Sequence, residues 1–168
     1  MILQNFNAKL SDFGLARDGP EDDQSHVSTR ILGARVYFAT EYIAAGHLTL
    51  KADVYSFGVF LLEILSGSGA VRKHSDGEVG NLAQWAEPFL SNKLELHRVI
   101  DKRLGHNFPM ERTYELAQLI LHCLCLNPEH RPTMAEVVAA LEQIELNLGF
   151  HHKRTYSRRT RTHSYSHS

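Results

Sequence analysis

Long hydrophobic runs are absent from this 168-residue chain: no stretch approaches the roughly 20 apolar residues that a membrane-spanning helix needs. Cysteine is scarce as well. Cys123 and Cys125 are the only two, stand two positions apart and cannot build a disulfide framework, so a reduced, cytoplasmic setting is the expectation. The opening Met1-Ile2-Leu3-Gln4 lacks the pattern of a signal peptide and the second-position Gly of a myristoylation start, and no anchor is expected from it. Acidic residues are missing from the last eighteen positions, which hold five Lys/Arg; the first 150 therefore carry thirteen basic groups (18 less 5) against 19 acidic. The body is mildly acidic and the tail basic, for a net charge of −1.

With 43% hydrophobic residues the chain can fill one core and is short for two, so a single globular unit over residues 1–150 is expected. Residues 2–10 read as extended, and Asp18-Gly-Pro-Glu-Asp-Asp23 as a mobile loop. The stretch ADVYSFGVFLLEILS, Ala52 to Ser66, is apolar nearly all round a helix and stops at Gly67, which assigns it to the middle of the core. Asn81 caps a short helix expected to run through Trp85 before Pro88 interferes, and a longer helix is expected from about Glu111 to Leu124. Thr133-Met-Ala-Glu136 is a capping box, followed by Val137, Val138, Leu141, Ile144 and Leu148 as a core stripe. Residues 151–168 are too polar to offset ordering entropy and read as a disordered basic Ser/Thr/His tail.

Chemistry-bearing motifs follow one another in a fixed order. KLSDFGLAR (Lys9–Arg17) opens the series, then SHVSTR (Ser25–Arg30), GARVYFATEY (Gly33–Tyr42), KADVYSFGVFLLEILSG (Lys51–Gly67), NLAQWAEPFL (Asn81–Leu90) and CLCLNPEHRPTMAEVV (Cys123–Val138). This series resembles the C-terminal lobe of a eukaryotic protein kinase over about Asn5 to Leu146, and is most similar to the plant receptor-like cytoplasmic serine/threonine kinases. The fold it implies is mainly α, with a small β remnant at the N-terminus and an activation segment at about residues 12–42.

The resemblance assigns roles position by position. Asp12 corresponds to the carboxylate that holds magnesium against the ATP phosphates, Phe13 to the ring whose packing sets the state of the loop, and Gly14 to the flexible turn. Ser25, Ser28 and Thr29 fall where family members are phosphorylated, with Arg30 or Arg35 near enough in sequence to receive a phosphate. Glu41 matches the acid of Ala-Pro-Glu that pairs with the late Arg, here Arg131, and Asp53 the acid that ties down the catalytic-loop backbone.

Other parts of a phosphoryl-transfer site do not occur in these residues. Positioning and electrostatics supply that catalysis, so it needs a Gly-rich loop, a strand Lys paired to a helix Glu, and a catalytic-loop Asp and Asn together. His130-Arg131-Pro132 is the late structural motif, and Gly67-Ser-Gly69-Ala-Val-Arg72 follows a helix and ends in Arg, which disqualifies it as a phosphate loop. Asp12 alone would hold magnesium weakly, because that ion keeps its water shell unless phosphates help. Where the family writes Gly-Thr-x-Gly-Tyr this chain has Gly33-Ala34-Arg35-Val36-Tyr37, and Thr40 replaces the Pro of Ala-Pro-Glu. These changes lead to the expectation that the substrate-docking segment is badly ordered or differently folded.

Two functions from different classes follow. In the first, the chain is part of a protein serine/threonine kinase, with Mg and ATP implied by family only and no activity in the isolated residues. In the second it is a non-catalytic, pseudokinase-like binding module for receptor or cytoplasmic kinases, offering the helix surface around Trp85. Self-association is expected through the face an N-lobe would cover, and membrane attachment only through partners or the weak pull of the tail. No specific nucleic-acid binding is expected. His122, Cys123, Cys125 and His130 contain zinc-capable groups, but Cys-x-Cys in a helical stripe does not converge four ligands.

Overall fold

The computed structural model describes residues 2–4, 7–11, 13–19, 25–28, 34–73, 79–105 and 108–147. Strands β1 (Ile2–Gln4) and β2 (Asn7–Lys9) form an antiparallel hairpin, with Leu3 opposite Ala8. A single 3-10 turn, Phe13–Leu15, follows. β3 (Val27–Ser28) pairs antiparallel with β4 (His47–Leu48), and between them lie a 3-10 turn at Arg35–Tyr37 and helix α1 (Thr40–Ala45). The basic tail expected to be disordered, residues 151–168, and the end of the final stripe at Leu148 lie outside the described residues.

Helix α2 (Leu50–Ser66) organises the rest. Thr49 caps it, its hydroxyl accepting from the Ala52 amide at 3.1 Å, and Gly67 ends it at φ 61°. A Cβ at Gly67 would also stand 2.2 Å from Asp101 Oδ2, so only glycine satisfies both the backbone and its neighbour. Val54, Val59 and Leu62 are fully enclosed, while Ile64 is half exposed and Phe57 and Phe60 are partly covered.

The short sheet β5 (Val71–Lys73) and β6 (Val79–Asn81) leads into α3 (Leu82–Leu90), capped as expected by the Asn81 side chain at 2.8 Å from the Ala83 amide. The helix does not stop near Trp85. It runs through Pro88, because the carbonyl that loses its intrahelical donor belongs to Gln84 on the exposed face, while Leu90 gains a fully buried seat.

α4 (Met110–Cys123) crosses α2 so closely that a Cβ on Gly58 would lie 2.6 Å from Cys123 Cβ. α5 (Met134–Asn147) starts at the capping box: the Glu136 carboxylate accepts from the Thr133 amide at 2.7 Å, and the Glu136 amide donates to the Thr133 hydroxyl at 3.3 Å. Val137 is fully buried against Val54, Leu119 and Cys123. Val138 is 49% exposed and leaves the expected stripe, since a residue one step on is rotated about 100° away from a contact face this narrow.

Three apolar clusters share α2: one with α3, α4 and residues 96–100, one with α1 and residues 36–39, and one with α4 and α5. The mainly helical architecture with a small N-terminal sheet is the class expected from the sequence.

Candidate functional site

Arg131 follows the 3-10 turn Pro128–His130, and its side chain is wholly buried. Burying a guanidinium is costly unless its donors are met, and here each of the five N–H groups has an acceptor. Nη1 donates to Glu41 Oε1 at 2.6 Å and Nη2 to Glu41 Oε2 at 2.9 Å, a two-point fork. The remaining donors reach the Cys125 carbonyl at 2.7 Å, the Lys51 carbonyl at 3.0 Å and the Leu126 carbonyl at 3.3 Å. The guanidinium also lies over the Tyr55 ring, 5.1 Å from its centroid, and Lys51 Nζ donates to the Arg131 carbonyl. Burial pushes the Glu41 carboxyl up, but the hydrogen bonds from Arg131 outweigh it and hold the carboxyl below its ordinary range. The clasp joins α1, the start of α2 and the turn before α5.

Residues 34–42, part of the segment expected to be badly ordered or differently folded, are ordered and pack against α2. Val36 sits in a 3-10 turn, whose backbone a β-branched residue adopts without strain, and Val36, Tyr37 and Phe38 join the cluster around Ala39, Tyr42, Ala52 and Tyr55. Thr40 takes the first helical position of α1, which Pro favours but does not require. Ser56 Oγ fixes the segment from below, 2.7 Å from the Tyr37 carbonyl.

Beside this segment opens a cavity of about 630 Å³, lined by Leu10, Tyr37, Asp53, Ser56, Phe57 and Glu63 among others. The Tyr37 hydroxyl donates to Glu63 Oε1 at 2.9 Å, and the same oxygen accepts from the Ala70 amide at 2.6 Å. Burial, then the bond to Glu63, push the Tyr37 phenol up, so it stays protonated as the donor. Asp53, in the first turn of α2, keeps solvent access yet has no hydrogen-bond partner among the described residues, and crowding by the apolar lining raises its carboxyl above the ordinary range. An acid so placed is an open acceptor at the cavity wall.

The expected metal ligand, Asp12, lies outside the described residues, as does Thr29. Phe13, 64% exposed, and Gly14 stand in the turn just after Asp12. Ser25 and Ser28 are exposed. Among the described residues no group of three or more His, Cys, Asp or Glu side chains converges, so the zinc-capable His122, Cys123, Cys125 and His130 do not form a centre. Cys123 is buried, and that burial pushes its thiol up to about 11. The structure thus brings Glu41 to Arg131 and leaves Asp53 apart from both, facing the cavity. The Tyr37–Glu63 bond went unread in the sequence, because its partners are 26 residues apart and the two motifs that hold them carry no sign of a pairing.

A mainly helical body clasped by Glu41 and Arg131, in a chain whose sequence carries Asp12-Phe13-Gly14 ahead of it, defines a class. Residues 1–141 match the family described as protein tyrosine and serine/threonine kinase, and the chain belongs to it. Among individual proteins, the probable serine/threonine-protein kinase PBL10 of Arabidopsis thaliana is 55% identical over 145 residues, which are 86% of this chain and 35% of that protein. Receptor-like cytoplasmic kinase 176 of Oryza sativa subsp. japonica is 50% identical over 145 residues, 86% of this chain and 37% of its own. Serine/threonine-protein kinase BIK1 of Arabidopsis thaliana is 48% identical over 149 residues, 89% and 38% respectively. The chain therefore spans little more than a third of the length of these relatives.

Proposed function

We propose that these residues form the peptide-docking part of a serine/threonine kinase of the plant receptor-like cytoplasmic type, acting in signalling from receptor kinases at the inner face of the plasma membrane. The whole protein would transfer the γ-phosphoryl group of ATP to Ser or Thr of a protein substrate, with Asp12 as a magnesium ligand, Phe13 and Gly14 as the adjustable turn, and residues 12–42 as the activation segment. The 168 residues alone do not catalyse it. What supports this reading is Asp53, which has no hydrogen-bond partner among the described residues, on the wall of an open cavity beside a fully satisfied Glu41–Arg131 clasp. In this reading these residues supply the docking side, and the groups that would use Asp53 as an anchor and supply the nucleotide site belong to the rest of the protein.

The test is incubation of the purified chain with Mg-ATP and a mixed set of Ser/Thr peptides. No incorporation above background is expected; incorporation that Asp12→Ala abolishes would overturn the reading. A second reading, a non-catalytic binding module, draws on the same cavity: Phe57 and Phe60 give it an apolar wall, suited to a protein segment that brings a donor to Asp53. Partner binding that persists in Asp12→Ala and is lost in Phe60→Asp would favour it.

A further inference from the structure

The pairing of β3 with β4 rests on little. It has two residue pairs, Val27 opposite Leu48 and Ser28 opposite His47, and a two-stranded ribbon this short is not held by its ladder alone. The two strands are also unequally rooted. Leu48 packs against the cluster around Ala39, Tyr42 and Ala52, and β4 lies against α1, whereas neither residue of β3 joins any of the three apolar clusters. β4 is thus fixed to the body, and β3 is the strand that can leave. What spans the two is a pair of imidazoles. His26, just before β3, and His47, at the start of β4, stack with ring centroids 3.8 Å apart and planes 27° from parallel. His47 is exposed and His26 half-buried, so the pair is open to solvent.

We infer that this pair is a proton-operated latch: it is closed while at least one ring is neutral and opens when both are charged, which frees residues 25–28 from β4. A free imidazole takes up its proton near pH 6.5, so the change falls just below neutrality. One imidazolium lies well against a neutral ring, whose electron-rich face attracts a cation. A second proton sets like charges face to face at the 3.8 Å ring spacing. The paired strands then bind fewer protons than the separated ones, so their pairing is strengthened as pH rises and lost as it falls.

Nothing on the elements packed here offsets the second charge. On α1, Glu41 is held by Arg131 and Tyr42 is buried; at the start of α2, Lys51 is itself a cation that donates to the Arg131 carbonyl, and Asp53 lines the cavity. β3 and β4 carry no ionisable side chain besides His47. Ser25 confines the effect to the stack. Its Oγ lies 3.2 Å from His26 Nδ1, and a hydroxyl donates to that nitrogen when it is bare and accepts from it when it is protonated. Charging His26 therefore keeps this bond and acts on the ring contact alone. The latch does not depend on the kinase reading; only its consequence does, that the freed strand belongs to the activation segment, and the test accordingly reads the strand pair and not activity.

The test is NMR of the full chain between about pH 7.5 and pH 5, following cross-peaks between the two imidazoles and between Val27 and Leu48 across the ladder. In the parent both sets are expected to fall together to less than about half their intensity, while the amides of Val59 and Leu62 in α2 stay protected from exchange. His47→Phe and His26→Phe each keep a ring but cannot place two charges in the stack, and their Val27–Leu48 cross-peaks are expected to hold at every pH. Parent cross-peaks that persist at the acid end would overturn the proposal without recourse to any variant. So would the same loss in both phenylalanine chains, or a loss of α2 protection in step with the ribbon, which would be acid unfolding of the whole body.

Discussion

Arg131 shows how one side chain can be both buried and charged. Its five donors each have an acceptor, and Glu41 supplies two of them. Glu41→Gln leaves that guanidinium buried without its counter-charge, and should destabilise the fold by about 3–5 kcal/mol, read by urea unfolding at neutral pH. The sign of the pH dependence follows from the lowered Glu41 carboxyl. Its contribution is complete above the unfolded carboxylate range and is lost as pH falls through the lower, folded value. Parent and Glu41→Gln stabilities should therefore converge below about pH 4, and a gap that stays constant into strong acid would count against the clasp. The sequence disclosed this pair only through family motifs, because 90 residues separate the partners and nothing local in either predicts the other. The Tyr37–Glu63 bond and the His26–His47 stack had no such guide. Each depends on elements apart in the chain being brought together, a 3-10 turn against α2 for the bond and the β3–β4 pairing for the stacked rings, whose centroids are 3.8 Å apart.

Local rules served best where a helix begins or ends. Asn81, Gly67 and the Thr133–Glu136 box were legible because a cap is a contact within a few residues, and all three act as their chemistry requires. Interiors were harder to read. Pro88 fails to end α3, since the orphaned carbonyl is exposed while the last turn buries Leu90, and Val138 turns outward because α5 presents only a narrow face to its neighbours. The segment from Ala34 to Tyr42 folds against α2 despite its departures from the family pattern, for a 3-10 turn accepts Val36 and apolar packing secures the rest. The α2–α4 crossing yields a prediction at this scale. Gly58→Ala would place a Cβ 2.6 Å from Cys123 Cβ, an atom held by its own backbone, and forcing the helices apart should cost about 1–3 kcal/mol in chemical denaturation. An unchanged midpoint would mean the helices do not pack this closely.

For the whole molecule, the central fact is a well-built helical body next to an open cavity. Leu10 and Phe13 stand 70% and 64% exposed at its N-terminal edge, and Phe57 and Phe60 line the cavity wall. Apolar surface of this kind drives association, so the isolated chain should sediment as a concentration-dependent mixture, and Leu10→Ser with Phe13→Ser should shift it toward monomer. A single monomeric boundary at all concentrations would remove that expectation. The most direct measurement of the account joins the part of one of the relatives that precedes its matched residues to this chain and assays Mg-ATP-dependent phosphorylation. The account predicts activity in the fusion, loss on Asp12→Ala, a large reduction on Asp53→Asn, and none in the 168 residues by themselves. A cooperatively folded fusion that remains inactive would contradict it, and so would an equally active chain without the added segment.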